Sequence, residues 1–288
     1  MPMSITQAFV QQWDSTIKHL AQQSTSRLEK ASTDKGSITG ESFTYNQLGA
    51  IADTPENTVR HGDTDWSDAA HTTRVCLMKD FYQALPVDRA DEPKMLANPG
   101  GTTYPEALKM AWNRRKDKVL FTALGATVTY KDGTTADLAA ANKIAAGGTG
   151  FTKAKIIQGK KIFRAFEADG VDFGGDLYCC YNSEMMEDVL SDTTLTSADF
   201  MAVKLLYEGD ISGKWMGISW IPYEAIDLVS STYTTYMWSK SGLVRGTGFV
   251  EGNSQRRGDK KDTLQVSMAG SVGAIRVEEN KVVQIKFV

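Results

Sequence analysis

The twelve residues Arg60-His61-Gly62-Asp63-Thr64-Asp65-Trp66-Ser67-Asp68-Ala69-Ala70-His71 hold two of the chain's three histidines and three aspartates. His61, Asp63 and His71 are residue types that bind zinc or another transition metal, and a metal-dependent hydrolase is the chemistry they would serve. Catalytic metal sites, however, orient their ligands through supporting hydrogen bonds inside a pocket. Here every candidate ligand lies in one polar stretch, and the remaining histidine, His19, is near the N-terminus. The stretch therefore reads first as an exposed loop whose charges meet a neighbouring surface.

Other motifs have bland readings. Gly147-Gly148-Thr149-Gly150-Phe151-Thr152-Lys153 precedes a helical pattern, but a phosphate loop needs its lysine directly after the last glycine. Arg257-Gly258-Asp259 lies in a lysine-rich turn and reads as coincidence with the adhesion tripeptide. Glu184, Glu187 and Asp188 lie on one short helix and read as solvated surface. No serine stands in a Gly-x-Ser-x-Gly elbow. Neither catalytic nor cofactor residues are assigned.

The elements that must position these residues come next. The 288 residues are 41 % hydrophobic and carry a formal net charge of -3. That suits a globular core and gives no basic excess for a dedicated nucleic-acid binder. Cys76, Cys179 and Cys180 are odd in number with two adjacent, which predicts buried thiols in a reducing compartment rather than a disulfide framework. No stretch has the length and apolarity of a membrane span or the pattern of a signal peptide.

Residues 5–23 carry an amphipathic stripe at Ile5, Phe9, Trp13 and Ile17, which predicts a helix leading into a polar tether. Residues 36–85 predict a long hairpin, with SFTYNQLGAI and HTTRVCLMKDFY as its strands and the histidine-aspartate cluster towards its tip. Such a hairpin is marginal alone and needs a partner surface. Thr103-Tyr104-Pro105-Glu106 is a capping box that starts a long helix, with Gly125 as its stop. A short hairpin is expected at Lys131-Asp132-Gly133, and a helix from Thr152 with Ile156, Ile157, Phe163 and Phe166 as its apolar face. Strands at DLYCCY, KWMGISWIPY and YMWSKSGLV, helices at SEMMEDVLS and SADFMAVKLLYEG, and a charged loop QRRGDKKD complete the middle. The end predicts one sheet in which the strand through Ile275 and Val277 turns at Glu279-Asn280 and returns through Val283, Ile285 and Phe287. The pattern is mixed α+β without regular βαβ units. Its long unpartnered elements are those of an assembly subunit.

At this point the chain resembles the major capsid proteins of tailed bacteriophages with the Hong Kong-type (Johnson) fold. The resemblance rests on ITQAFVQQW and HLAQQ, RHGDT, HTTRVCLMKDFYQA, GGTGFTKAKIIQGKKIF, LSDTTLTSADFMAVKLLYEGDISGKWMGISWI, WSKSGLVRGTG and VGAIRVEENKVVQIKFV, in that order over nearly the whole length. It implies an N-terminal arm over 1–35, an extended hairpin loop over 36–85, a peripheral domain with a long spine helix over 86–150 and 256–288, and an axial domain over 151–255. It implies pentamers and hexamers in an icosahedral shell around double-stranded DNA, without enzyme activity, cofactor, metal or membrane. The implied partners are further copies of the chain, a scaffolding protein, a portal and decoration proteins. The implied location is the virion, and the host cytoplasm during assembly. On this reading Phe9, Trp13, Ile17, Arg60, His61, Asp63, Asp65, Trp66, Asp68 and Arg74 contact neighbouring subunits. A nanocompartment shell of the encapsulin kind, loaded with a cargo enzyme, is the alternative within the same fold.

Overall fold

Thr103-Tyr104-Pro105-Glu106 does begin a helix. In the computed structural model the helix α1 runs Thr103–Gly125. The structure describes residues 19–51, 53–54, 56, 60, 62–63, 66–92, 103–169, 176–191 and 213–288. The predicted helices at 5–18 and 197–209 lie outside these, and residues 19–23 are not helical.

Among the described residues three helices and fifteen strands occur. The strands are β1 (Thr33–Ser37), β2 (Ser42–Leu48), β3 (His71–Leu77), β4 (Lys79–Val87), β5 (Val128–Tyr130), β6 (Thr135–Ala136), β7 (Lys143–Ile144) and β8 (Leu177–Tyr181). They continue as β9 (Gly213–Trp215), β10 (Ile218–Pro222), β11 (Asp227–Val229), β12 (Thr232–Ser239), β13 (Leu243–Arg257), β14 (Thr263–Arg276) and β15 (Val282–Phe287). The other helices are α2 (Lys153–Ala165) and α3 (Ser183–Ser191). Three sheets result, ordered β1-β13-β14-β4, β7-β15-β12-β8-β10-β9 with β11 beside β12, and β2-β3-β5-β6. This is the expected α+β mixture.

The chain divides into two compact units. One comprises residues 1–25, 81–114 and 250–270. In it Phe81 meets Trp112 edge-on at 6.4 Å between ring centroids. Gly270 is required there, because a Cβ would stand 2.6 Å from the Trp112 ring.

The second unit comprises residues 26–80, 115–249 and 271–288 and holds the main core. Trp238, Phe121, Phe151, Phe163 and Phe287 are almost fully buried in it. Phe121 packs on Tyr236, and Phe151 on both Trp220 and Phe287. Of the four residues expected on the apolar face of α2, Ile156 and Phe163 are buried, while Ile157 and Phe166 are about half exposed. Gly159, costly in a helix, packs closely on Met237: a Cβ there would lie 3.2 Å from its methyl.

One sequence expectation is corrected. The alternation at 263–287 predicts one sheet, but β14 joins β13 and β4, whereas β15 pairs with β12 and β7. The turn at Glu279–Lys281 redirects the chain between sheets, with the Glu279 side chain held by Arg74 and Arg276. α1 ends at Gly125, as expected, though without the positive φ of a left-handed cap. The glycine is needed because a Cβ would collide with the Tyr236 hydroxyl, which also accepts a hydrogen bond from Gln284. Gly125→Ala is therefore expected to destabilise the subunit by about 1–3 kcal/mol, the usual range for overpacking, measurable by denaturant unfolding.

Candidate functional site

The predicted hairpin forms, in a shorter span than expected. β2 and β3 pair antiparallel from Ser42↔Leu77 to Leu48↔His71, and Gly49 N–H donates to the Ala70 carbonyl to extend the ladder. β4 leaves for another sheet, so 79–85 is not part of the hairpin. On its other edge β3 pairs with β5 at Arg74↔Tyr130 and Val75↔Thr129, and the Lys131 N–H donates to the Thr73 carbonyl. The hairpin thus has a supported base and a two-stranded distal half. Its base packs Phe43 and Cys76 with Val128, Val244, Ile275 and Val277. Burial pushes the Cys76 thiol up to about 12, against a small opposing effect of Lys79, so this cysteine stays protonated.

The distal half is apolar where a lone subunit gains nothing by it. Leu48 and Ile51 are exposed, and Trp66 is 95 % exposed. Arg60, Asp63, Asp68 and His71 are exposed as well. His61 and Asp65 lie outside the described residues, as do Phe9, Trp13 and Ile17. Among the described residues no group of three or more histidine, cysteine, aspartate or glutamate side chains is placed to hold a metal ion. No helix among them is long and apolar enough to cross a membrane.

Arg74 differs from its expectation. It is 4 % exposed, and its guanidinium is engaged within its own chain. Nη1 donates to the Arg276 carbonyl at 3.1 Å and to Glu279 Oε1 at 2.9 Å. Nη2 donates to Glu279 Oε2 at 2.6 Å and to the Tyr130 hydroxyl at 3.4 Å. Strand alternation places Arg74 on the same face as Cys76, and both are buried. Beside it Arg276, fully buried, donates to the carbonyls of Leu124, Ala126 and Ala136 and lies 3.6 Å from Glu279. Burial alone would raise the Glu279 carboxyl. The Arg74 hydrogen bonds and charge, with Arg276 behind them, outweigh burial and hold it below its ordinary value. One carboxylate therefore ties the arm's base (Arg74) to the carboxyl end of β14 (Arg276).

The segment after the N-terminal arm is not the polar tether that its composition predicts. Leu28 and Ala31 are fully buried. Asp117, in the middle of α1, is also fully buried. Its carboxylate accepts from Ser26 Oγ, from Arg27 N–H at 2.8 Å and from Leu28 N–H at 3.3 Å. Arg27 also donates to the Pro222 carbonyl, and Trp238 Nε1 to the Ala31 carbonyl. Lys116 and Arg245 both pair with Glu29, and Arg245 also with Asp34. β1 then lies parallel to β13. Nothing in the sequence flagged this strap. Its only available signal was the hydrophobic pair Leu28 and Ala31 amid polar residues.

The glycine loop before α2 does the opposite of binding phosphate. The Lys155 ammonium, buried, donates to the carbonyls of Ala146, Thr149 and Gly150 at 2.8–2.9 Å. Burial depresses its pKa, and the charge of Asp188 partly restores it. Asp188 Oδ2 takes the Phe151 N–H at 2.6 Å. The loop offers carbonyls to a cation, where a phosphate would need free N–H groups.

An arm that leaves its body with an exposed tryptophan, rooted on buried ion pairs, defines a subunit built to associate. The comparisons agree. Residues 5–288 match the family described as phage capsid protein. The structure resembles the capsid of cyanophage P-SCSP1u (TM-score 0.70, 13 % identity, covering 100 % of this chain and 95 % of that one). It also resembles the capsid of the native GTA particle (0.70, 11 %, 99 % and 99 %). The capsid of cyanophage Pam1 is a third likeness (0.68, 14 %, 99 % and 98 %). A search of curated protein sequences gave no match.

The chain belongs to the phage capsid protein family. It is a structural, non-enzymatic major capsid protein with the Hong Kong-type fold, it assembles into a multimeric shell, and its place is the virion capsid.

Proposed function

We propose that the subunit forms pentamers and hexamers of a closed icosahedral shell that encloses double-stranded DNA. The observation that carries this reading is the distal hairpin, whose strands have no third strand beside them among the described residues and near which the apolar side chains of Leu48, Ile51 and Trp66 face solvent. A two-stranded ribbon of this kind is stabilised by lying on another surface, here that of the next subunit. Arg60, His61, Asp63, Asp65 and Asp68 would set its register there, since charges at an interface rim act on specificity more than on affinity. Phe9, Trp13 and Ile17 would contribute apolar anchors from the N-terminal arm. The division into N-arm, extended loop, peripheral and axial domains describes how these parts would be used. The net charge of -3 suits enclosure of DNA without strong adhesion. A scaffolding protein, a portal and decoration proteins would act with the subunit, and assembly would take place in the host cytoplasm.

Removing residues 1–23 or the tip 55–70 is expected to leave a folded subunit that no longer forms closed shells. Electron microscopy, alongside circular dichroism of the subunit, reads both. Shells of normal size from both deletions would overturn these roles.

A further inference from the structure

The strap carries one lysine across to the hairpin. β1 meets β13 at Asp34↔Arg245 and next at Ser37↔Thr247, so β1 takes one step more than its partner. The extra residue makes a bulge at Lys35-Gly36. Gly36 has a φ of +90°, a conformation that glycine adopts without steric penalty. Asp34 fixes the bulge: its Oδ1 accepts the Gly36 N–H at 2.9 Å, and its Oδ2 accepts from Arg245 at 2.9 Å. Lys35 Nζ then donates to the Thr44 carbonyl at 2.7 Å and lies over the Tyr45 ring, 5.5 Å from its centre.

Thr44 belongs to the outer edge of β2. The Glu41 carbonyl accepts from the Met78 N–H, and the Gly49 N–H donates to the Ala70 carbonyl. Antiparallel pairing alternates, so the odd-numbered residues from 41 to 49 turn their backbone groups to β3. Ser42, Thr44, Asn46 and Leu48 turn theirs to the other side, where β2 ends its sheet among the described residues. All four are exposed. The strand Ser42-Phe43-Thr44-Tyr45-Asn46-Gln47-Leu48 holds no charged residue, no proline and no glycine. A neutral edge of this length and composition is a template for an identical strand of another molecule. Lysine is a residue that blunts such edges, and here it arrives from β1 rather than from β2 itself.

We propose that Lys35 guards this edge in the free subunit, and that what it excludes is the β2 edge of a second copy. A partner strand needs the Thr44 carbonyl, which Lys35 already occupies. To pair, each copy must give up that charge-assisted hydrogen bond and the contact with Tyr45. The uncharged sequence of β2 singles out β2 as its own partner, because two such edges meet without like-charge repulsion. The guard is a property of the lone subunit and does not rest on the shell reading above.

The test compares full-length, unassembled subunits of the native chain, Lys35→Ala, Lys35→Arg, and Lys35→Ala combined with Thr44→Pro. Sedimentation and amide hydrogen exchange are followed over a range of concentrations, with circular dichroism as the check on folding. Lys35→Ala should associate at about tenfold lower concentration than the native chain, the effect of about one charge-assisted hydrogen bond. The Thr44 and Asn46 N–H groups should gain protection as it does so. Lys35→Arg should behave as the native chain. The double variant should stay monomeric, since proline at an outward edge position removes an N–H that the partner would use and leaves the ladder to β3 intact. Native-like association of Lys35→Ala would overturn the proposal, as would association without protection at Thr44 and Asn46. The exchange pattern of Lys35→Ala decides the matter by itself should the double variant not fold. Electron microscopy of shells from the native chain tests the shell reading separately, so the two failures give different results.

Discussion

Glu279→Gln is expected to cost the subunit about 3–5 kcal/mol, the range for breaking a buried ion pair by removing one partner. Arg74 is 4 % exposed and Arg276 is fully buried, and Glu279 is the carboxylate that faces both. Glutamine keeps the size and one acceptor, but leaves two guanidinium charges in a low-dielectric setting without the countercharge Glu279 supplies. The loss is measurable as a lower urea midpoint with unchanged slope. Its pH dependence has a definite sign. The Glu279 carboxyl is held below its ordinary value in the folded chain. Its contribution is therefore complete above the carboxyl's unfolded pKa and is lost as pH falls through the folded one. The gap between the native chain and the variant should close in acid. A gap that stays constant from neutral pH to strong acid would refute the ion-pair account. Because Arg74 sits in β3, the variant should also loosen the arm's base, visible as faster amide exchange around residues 74–76.

Trp66→Ser should act in the opposite place. With 95 % of its surface exposed, Trp66 supports nothing in the lone subunit, and unfolding should not change. Assembly should suffer, since a buried tryptophan at the centre of an interface is commonly worth about 2 kcal/mol or more. That is about thirtyfold in affinity for each contact. Every subunit of a closed shell gives and receives the contact, so the concentration needed for shells should rise at least that much, as read by light scattering. Shells forming at the native concentration would remove Trp66 from the interface.

The sequence makes α1 legible because a capping box and a sustained helical period agree over its whole length. The hairpin is legible because two alternating strands flank a stretch of turn residues. What stays hidden depends on partners far away in the chain. Asp117 looks like surface until Ser26, Arg27 and Leu28 are brought against it from about ninety residues away. Arg74 looks like an exposed charge on a polar strand until Glu279 and Tyr130 enclose it. Gly125 looks like a helix stop and is one, yet it is Tyr236 that excludes a side chain there. The alternation in β14 and β15 is real, but period alone does not say which sheet a strand joins. In the candidate site the exposed charges and Trp66 could be picked out by type, whereas the anchors beneath them could not.

The strap at residues 26–37 has a consequence in time. Its partners Trp238, Lys240, Val244, Arg245 and Thr247 are among the later parts of the chain to leave the ribosome. At about 5–20 residues per second, roughly 200 residues of translation separate the strap from its seat, on the order of 10–40 s. The root of the N-terminal arm cannot take its final position during that interval. Neighbouring nascent chains on one message therefore carry arms not yet aimed, and subunits become competent to join only after residues 238–247 have emerged.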